Sequence, residues 1–160
     1  MEKRVITKEE ADAAQLIADS FGIQPADIRT YSPLTLAFLG DCVFDLVIRT
    51  ILVERGNRSV NVLHRQKSGL VKASAQAAMA ERLESLFTEE EKAVYKRGRN
   101  AKSVTMPKHA QVADYRKATG LEALVGYLYL LGRTGRILEL LREGTGCLET
   151  AGHSGFDNEK

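Results

Sequence analysis

The chain has 160 residues, 44% of them hydrophobic, which is enough for one domain with its own core and too few for a second full domain. Thirteen glycines and three prolines exclude a collagen-like or linker-like chain, and the two cysteines, Cys42 and Cys147, exclude a disulfide framework. The net charge of +2 favours no class of partner. The N-terminal residues contain no long apolar stretch, so we expect a cytoplasmic protein.

Helix caps and apolar periodicity predict an all-α bundle, and no segment alternates as a β-strand does. Thr7 and Glu10 form a capping box at the first helix, Ser32 followed by Pro33 starts a long helix, and Thr88 opens a second capping box. The predicted helices span about 7–22, 32–55, 57–86, 88–98, 112–131 and 134–142, with a turn or brief helix at 24–27.

These elements divide the chain into three parts. Residues 1–30 are predicted to form an N-terminal extension with a short helix, and residues 31–143 the main helical domain. Residues 144–160 are Gly-rich, acidic and only weakly apolar, a composition typical of a disordered tail.

The second predicted helix is apolar nearly all round between Leu34 and Val53. It is as long as a membrane span, but Asp41 and Asp45 lie in its middle. An aspartate at the bilayer centre costs roughly 2.5 to 3.5 kcal/mol, which argues against insertion. We therefore expect a buried central helix, with Cys42 acting as a small core residue.

The two aspartates of this helix differ in their surroundings. Asp45 precedes Arg49 by one helical turn, and the two are expected to pair. Asp41 has no cation of its own within the helix. It follows Gly40, whose missing side chain lets another backbone or a ligand approach closely.

A second apolar helix also carries one acid. Glu122 is the only charge in the run 120–131, and Gly126 lies one turn further on the same face. Small residues beside both acids would let the two helices pack closely and bring Asp41 and Glu122 together. Two like charges at short distance need neutralisation, for which Mg²⁺ is the usual hard-oxygen solution. The alternative is that each acid pairs with its own Lys or Arg, or caps a neighbouring helix.

Basic residues are concentrated between Lys96 and Lys117, where seven of them accompany one acid, Asp114. The rest of the chain is slightly acidic. A cationic segment on such a body is a candidate site for a polyanion. A solvated loop with cations at helix ends is the alternative.

Both acidic segments resemble motifs of the ribonuclease III family. Residues 36–46, Leu-Ala-Phe-Leu-Gly-Asp-Cys-Val-Phe-Asp-Leu, resemble its signature helix, built around Phe-Leu-Gly-Asp. Residues 121–126, Leu-Glu-Ala-Leu-Val-Gly, resemble its second acidic motif, Phe-Glu-Ala-Leu-Ile-Gly. The basic run Arg-Gly-Arg-Asn-Ala-Lys-Ser at 97–103 looks like that of the small subfamily, Mini-ribonuclease III, whose members lack a C-terminal double-stranded-RNA-binding domain. The resemblance covers about residues 31–143.

The chain departs from the full-length family at two positions. Full-length members carry a glutamate four residues before the signature aspartate and an aspartate three residues before the second glutamate. Ala37 and Thr119 occupy those positions here, as in the small subfamily. The resemblance therefore implies two carboxylates where full-length members have four.

The family resemblance implies a Mg²⁺-dependent endoribonuclease, without an organic cofactor, that cuts both strands of double-stranded RNA as a homodimer. It would leave 5′-phosphate and 3′-hydroxyl ends, and the subfamily's substrate is the precursor of 23S ribosomal RNA. Asp41 and Glu122 are then the catalytic and metal-binding residues. The residues expected to bind the RNA are Arg65, Lys67, Lys72, Arg97, Arg99, Asn100, Lys102, Lys108 and Arg116.

The resemblance also implies where two copies meet. In the family the signature helices form the dimer contact, which assigns Phe38 and Phe44 to the interface. The alternative is that both are ordinary core residues.

Two functions of other classes stay open from the sequence. A non-catalytic RNA-binding or ribosome-assembly protein on the same scaffold would explain Ala37 and Thr119, whereas intact Asp41 and Glu122 argue against it. A helical adaptor that binds other proteins would leave the basic segment without a role. Metal-dependent shortening of an RNA duplex separates the enzyme from both.

Overall fold

The computed structural model describes residues 12–102 and 111–146. These residues contain helices and no strand, which confirms the all-α prediction. A short 3₁₀ helix, Ile28–Thr30, precedes the second α-helix. The α-helices are α1 (Ala13–Ser20), α2 (Pro33–Glu54), α3 (Val60–Val71), α4 (Ala73–Leu83), α5 (Glu89–Asn100), α6 (Val112–Leu130) and α7 (Thr134–Gly144).

Several expectations fall partly or wholly outside the described residues. The capping box at Thr7 and Glu10 is outside them, and α1 begins later, after Asp12, whose side chain accepts a hydrogen bond from the Gln15 backbone N–H. Lys108 and residues 147–160 of the predicted tail are also outside.

The bundle is built around α6. This helix packs most extensively against α2, then against α5 and α4, and it also contacts α7 and α1. Every residue from Ala118 to Leu128 is buried except Glu122. A helix that is apolar on all sides needs neighbours on all sides, and the one charge in this run is therefore held inside the molecule.

The predicted helix caps are confirmed where the structure describes them. Ser32 accepts a hydrogen bond from the Thr35 backbone N–H at 3.1 Å, with Pro33 in the first turn. Thr88 and Glu91 satisfy each other's backbone N–H groups. The helix after Thr88 runs to Asn100, past its predicted end, so part of the expected basic loop is helical.

The prediction of one long helix over 57–86 is wrong. The helix is interrupted at Lys72, whose backbone is extended with φ −63° and ψ 152°. Gly69, the expected weak point of the helix, stays helical. The Gln76 side chain donates to the Val71 carbonyl at 3.0 Å, which replaces a hydrogen bond lost at the break. The break allows α4 to turn toward α6. As a result, α4 buries five of its residues, whereas α3 buries none.

The central helix α2 has one buried and one exposed face. Leu36, Phe44 and Ile48 lie in the core, whereas Phe38 is 84% exposed. Cys42 is also exposed, so its expected core position is wrong, since it projects from the uncovered side of the helix. In the described part of the chain, no helix combines the length and apolar character needed to cross a membrane.

Candidate active site

The site begins where α2 and α6 cross with their backbones in contact. A Cβ atom added to Gly40 would lie 1.7 Å from the Glu122 carbonyl oxygen, and one added to Gly126 would lie 2.0 Å from the Leu36 carbonyl oxygen. Helix backbones cannot yield at such distances. Glycine at both positions is what lets the two acidic helices approach.

This crossing brings Asp41 and Glu122 together. Asp41 is exposed and Glu122 is half-buried. Burial, assisted by the nearby charge of Asp41 and a hydrogen bond with it, raises the pKa of Glu122 to about 7, while a hydrogen bond from Gln76 acts in the opposite direction. The two carboxyl groups are therefore close enough for each to affect the other, in agreement with the sequence expectation.

Neither acid forms an ion pair with a Lys or Arg of the described residues. Over residues 12–102 and 111–146, no Lys or Arg nitrogen lies within 4 Å of the Asp41 or Glu122 carboxylate in an ion pair. Individual pairing of each acid with a Lys or Arg, one of the alternatives left open by the sequence, is therefore absent from the described residues. The close, uncompensated carboxylates are the chemical feature of the site.

Asp45 contrasts with this pair. Its carboxylate binds the Arg49 Nε at 2.5 Å and the Lys67 Nζ at 3.2 Å, which confirms the predicted pairing with Arg49. Burial alone would raise the pKa of Asp45, but hydrogen bonds from Arg49 and Lys67 lower it below its usual value. Asp45 is therefore a structural acid with its charge compensated.

The two positions that lack a carboxylate are both buried. Ala37 is buried in the core, and Thr119 is buried with its hydroxyl donating to the Tyr115 carbonyl at 2.9 Å. Among the described residues, no group of three or more His, Cys, Asp or Glu side chains is arranged to hold a metal ion. The site therefore has two carboxylates.

Sequence reasoning missed a third polar side chain at the site. Gln76, in the first turn of α4, is only 2% exposed and interacts with Glu122. A signal for it exists, since Gln76, Ala80 and Leu83 fall on one face with helical spacing and all three are buried. A lone amide on such an apolar face indicates a polar partner on the helix opposite.

Comparison with known proteins identifies the family whose domain contains the crossing of α2 and α6. A model of the Ribonuclease III domain matches residues 34–133, which include both acids and both glycines of the contact. The chain belongs to the ribonuclease III family.

Individual relatives agree with this assignment. The Mini-ribonuclease 3 of Thermoanaerobacter sp. is 48% identical over 122 residues, covering 76% of this chain and 86% of the relative. That of Enterococcus faecalis is 42% identical over 136 residues, covering 84% and 98%. A crystal structure of a Fusobacterium nucleatum protein has a TM-score of 0.69 at 32% identity, covering 79% of this chain and 99% of that one. This ribonuclease III family member is an endoribonuclease.

The described members of the predicted RNA-binding set differ in their surroundings. Arg97 and Arg99 flank Gly98, where an added Cβ would lie 2.7 Å from the Ala123 Cβ on α6. Residues two apart project to opposite sides of a helix. Arg99 lies 3.8 Å from Glu84 and over the Tyr95 ring, whereas Arg97 is exposed.

The remaining basic residues lie on other elements. Asn100 and Lys102 follow at the end of α5, and Arg116 is near the start of α6; all three are exposed. Arg65 and Lys72 are exposed, whereas the Lys67 ammonium already binds Asp45. Lys72 precedes Gln76, which interacts with Glu122, by four residues.

The interface prediction for Phe44 is wrong. Phe44 is fully buried in the core of its own chain, while Phe38 is exposed. The two residues are six positions apart, which places them on different faces of α2. Of the two, only Phe38 is available to a second copy.

The Glu122→Gln variant is expected to be more stable than the unaltered chain at pH 8 without metal. Glu122 has a pKa of about 7 in the folded protein against an ordinary value of 4.5. The stability contributed by its protonated form is complete below about pH 4.5 and is lost as the pH rises through 7. Removing the charge should therefore increase the free energy of unfolding at pH 8 by on the order of 2 to 3 kcal/mol, and hardly at all at pH 4.5.

Urea denaturation in EDTA at the two pH values measures this difference. Glu91→Gln is the matched control, because its hydrogen bond with Arg136 lowers the pKa of Glu91 against the effect of burial. That change should decrease stability at pH 8. An equal effect of Glu122→Gln at both pH values would show that Glu122 is not held in this environment.

Proposed function

We propose that this endoribonuclease is a cytoplasmic, Mg²⁺-dependent enzyme that cleaves double-stranded RNA and matures the 5′ and 3′ ends of the 23S ribosomal RNA precursor. The observation that carries the proposal is the direct pairing of Asp41 with Glu122, with no basic residue bound to either carboxylate in the described part of the chain. The family and the names of its relatives support the substrate class.

The donor chemistry fits a divalent cation. Carboxylate oxygens are the ligands that Mg²⁺ prefers in proteins, and Mg²⁺ usually binds through one or two of them while keeping several waters. Asp41 and Glu122 would hold the ion. When bound, Mg²⁺ lowers the pKa of a water and polarises the scissile phosphate.

Two carboxylates of the chain would position the metal ion, and its basic residues would bind the RNA backbone. Glu122 is fixed inside the molecule on the most buried helix, and Asp41 faces solvent beside it, so an RNA backbone reaches the pair from the Asp41 side. Basic residues at the ends of α5 and α4, Arg97 and Lys72 among them, would contact phosphates. Such contacts suit double-stranded RNA, which proteins recognise by shape and backbone more than by base edges.

We also propose that the enzyme acts as a homodimer through the exposed face of α2. Phe38, Leu46 and Val53 are large apolar residues exposed on this one helix, and apolar surface of this kind is typical of an interface. Two copies would supply two acid pairs, one for each RNA strand. Sedimentation equilibrium measures the mass in solution, and a single species at 17.7 kDa at micromolar concentration would contradict the dimer.

Removal of the metal is expected to stop cleavage but not RNA binding. With Mg²⁺, the purified chain should shorten a long RNA duplex and trim a 23S precursor fragment at its paired flanks. In EDTA the duplex should stay whole but bound, with an affinity that falls as salt rises because phosphate contacts release counterions. Gel electrophoresis and filter binding measure the two effects. If the chain binds the RNA duplex in Mg²⁺ or Mn²⁺ without shortening it, the chain is a non-catalytic RNA-binding protein and the proposed function is wrong.

A further inference from the structure

The first helix leaves large apolar side chains exposed. Within α1, only Ala18 is buried. Phe21, directly after the helix, is 77% exposed, and Leu16, Ile17 and Ile23 are each about half exposed. A single exposed apolar residue is ordinary, whereas several so close together are typical of an interaction surface. We call these four residues the α1 patch.

The α1 patch is held in place on the bundle at both ends. The Asp12 carboxylate, which caps α1, lies against Gly132 after α6, since a Cβ atom added to Gly132 would lie 2.6 Å from the Asp12 Oδ2 atom. At the other end, the Ile23 backbone N–H donates to the Ala18 carbonyl at 2.9 Å, with Gly22 in the left-handed conformation at φ 62°, a common way to end a helix. An apolar surface that is already ordered loses little conformational entropy when a partner covers it.

The α1 patch borders the exposed face of α2. A cavity of about 280 Å³ lies between the two elements, lined by Ile17 and Ile23 together with Leu39 of α2 and Tyr129 of α6. Leu39 directly follows Phe38, the most exposed large apolar residue of α2. The apolar surface therefore continues from α2 across this cavity to α1.

The exposed apolar residues of α2 are few for a stable dimer. A specific interface buries about 800 Å² on each partner, and even a large aromatic side chain supplies only about 150 to 250 Å². Phe38, Leu46 and Val53, the apolar residues proposed for the contact, supply less than that area together. The α1 patch adds four more apolar residues at the border of this face, and homodimer interfaces are more apolar than the rest of a protein surface.

We propose that the α1 patch of each copy packs against the second copy and extends the dimer contact that α2 begins. This inference rests on the proposed homodimer and adds to it a helix that precedes the residues matched by the family domain, 34–133. In a dimer with two-fold symmetry the same patch is buried on both copies, so each substitution in it acts twice.

Sedimentation equilibrium of the full chain over a range of concentrations measures the dissociation constant of the dimer. The double variant Ile17→Gln, Phe21→Gln replaces apolar side chains of the patch by polar ones, and should weaken the dimer by about 10- to 100-fold. Leu138→Gln is the matched control, because Leu138 is as exposed as Ile17 but lies on α7, which packs against α4 and α6. Its dissociation constant should stay within twofold of that of the unaltered chain.

Thermal denaturation separates lost association from lost folding. At concentrations at which every variant is monomeric, the double variant should melt within a few degrees of the unaltered chain. At high concentration it should melt lower, because only the unaltered chain gains stability from dimer formation. An unchanged dissociation constant for the folded double variant would overturn the inference. A less stable monomer with an unchanged dissociation constant would also overturn it, since another segment of the same chain would then cover the α1 patch.

Phe38→Gln distinguishes failure of this inference from failure of the proposed dimer. If Phe38→Gln weakens the dimer and the double variant does not, the contact through α2 stands and the α1 patch has no part in it. If neither variant changes the dissociation constant, or if the unaltered chain sediments as a 17.7 kDa monomer, the proposed dimer fails together with this inference.

Discussion

The Asp41→Asn variant is expected to cleave an RNA duplex about a thousandfold more slowly than the unaltered chain. The substitution keeps the shape of the side chain and removes one of the two charges that would hold the divalent ion. Asp41 is exposed and takes part in no ion pair with a described residue, so the fold should be unaffected. Single-turnover cleavage in Mg²⁺ measures the rate, and circular dichroism measures the melting temperature.

Asp45→Asn is the control for this variant. It makes the same change one helical turn along α2, at an acid whose charge is already compensated by Arg49 and Lys67. Its cleavage rate should stay within a few-fold of the unaltered chain. Equal losses for the two variants would mean that general charge, and not the pairing of Asp41 with Glu122, supports cleavage.

The second large effect is expected for stability, from Gly40→Ala. The new methyl group would lie 1.7 Å from the Glu122 carbonyl oxygen and 2.7 Å from the Gly126 nitrogen, so α2 and α6 must move apart. Forcing a group into a closely packed contact should cost about 3 kcal/mol, which lowers the melting temperature by roughly 10 °C in a chain of this size. Thermal denaturation followed by circular dichroism measures this loss.

In contrast to Gly40→Ala, the Gly69→Ala variant is expected to be more stable than the unaltered chain. Gly69 lies within α3, with no atom within 4 Å of the position of an added Cβ. Alanine there should stabilise the chain by about 0.5 to 1 kcal/mol, because glycine loses more conformational freedom in a helix. If Gly40→Ala were as stable as Gly69→Ala, the close crossing of α2 and α6 would be wrong.

Local chemistry explains which elements could be predicted. Ser32 with Pro33, and Thr88 with Glu91, position helix starts because each cap acts on backbone groups within three residues. The acid pair was also predictable, since Gly40 and Gly126 mark where two apolar helices approach. The motif resemblance then assigned the family, which the domain match over residues 34–133 confirms.

The errors concern two things: which side of a helix meets the rest of the molecule, and where a helix breaks or ends. The composition of α2 is apolar nearly all round, so periodicity could not tell that Phe44 enters the core while Cys42 and Phe38 stay outside. The break at Lys72 has no glycine or proline to indicate it. It depends on α4 packing against α6, with Gln76 bonding the Val71 carbonyl across the break.

The amino-acid sequence by itself determined the helical class, most helix ends, the two acids and the family, because these follow from contacts between near neighbours and from recognisable motifs. Only the tertiary structure decided that neither Asp41 nor Glu122 forms an ion pair with a Lys or Arg of the described residues, and that Gln76 of a third helix interacts with Glu122. The physical reason is that the environment of a charge is set by the elements packed around it. Residues distant along the chain supply that environment, and no local pattern encodes it.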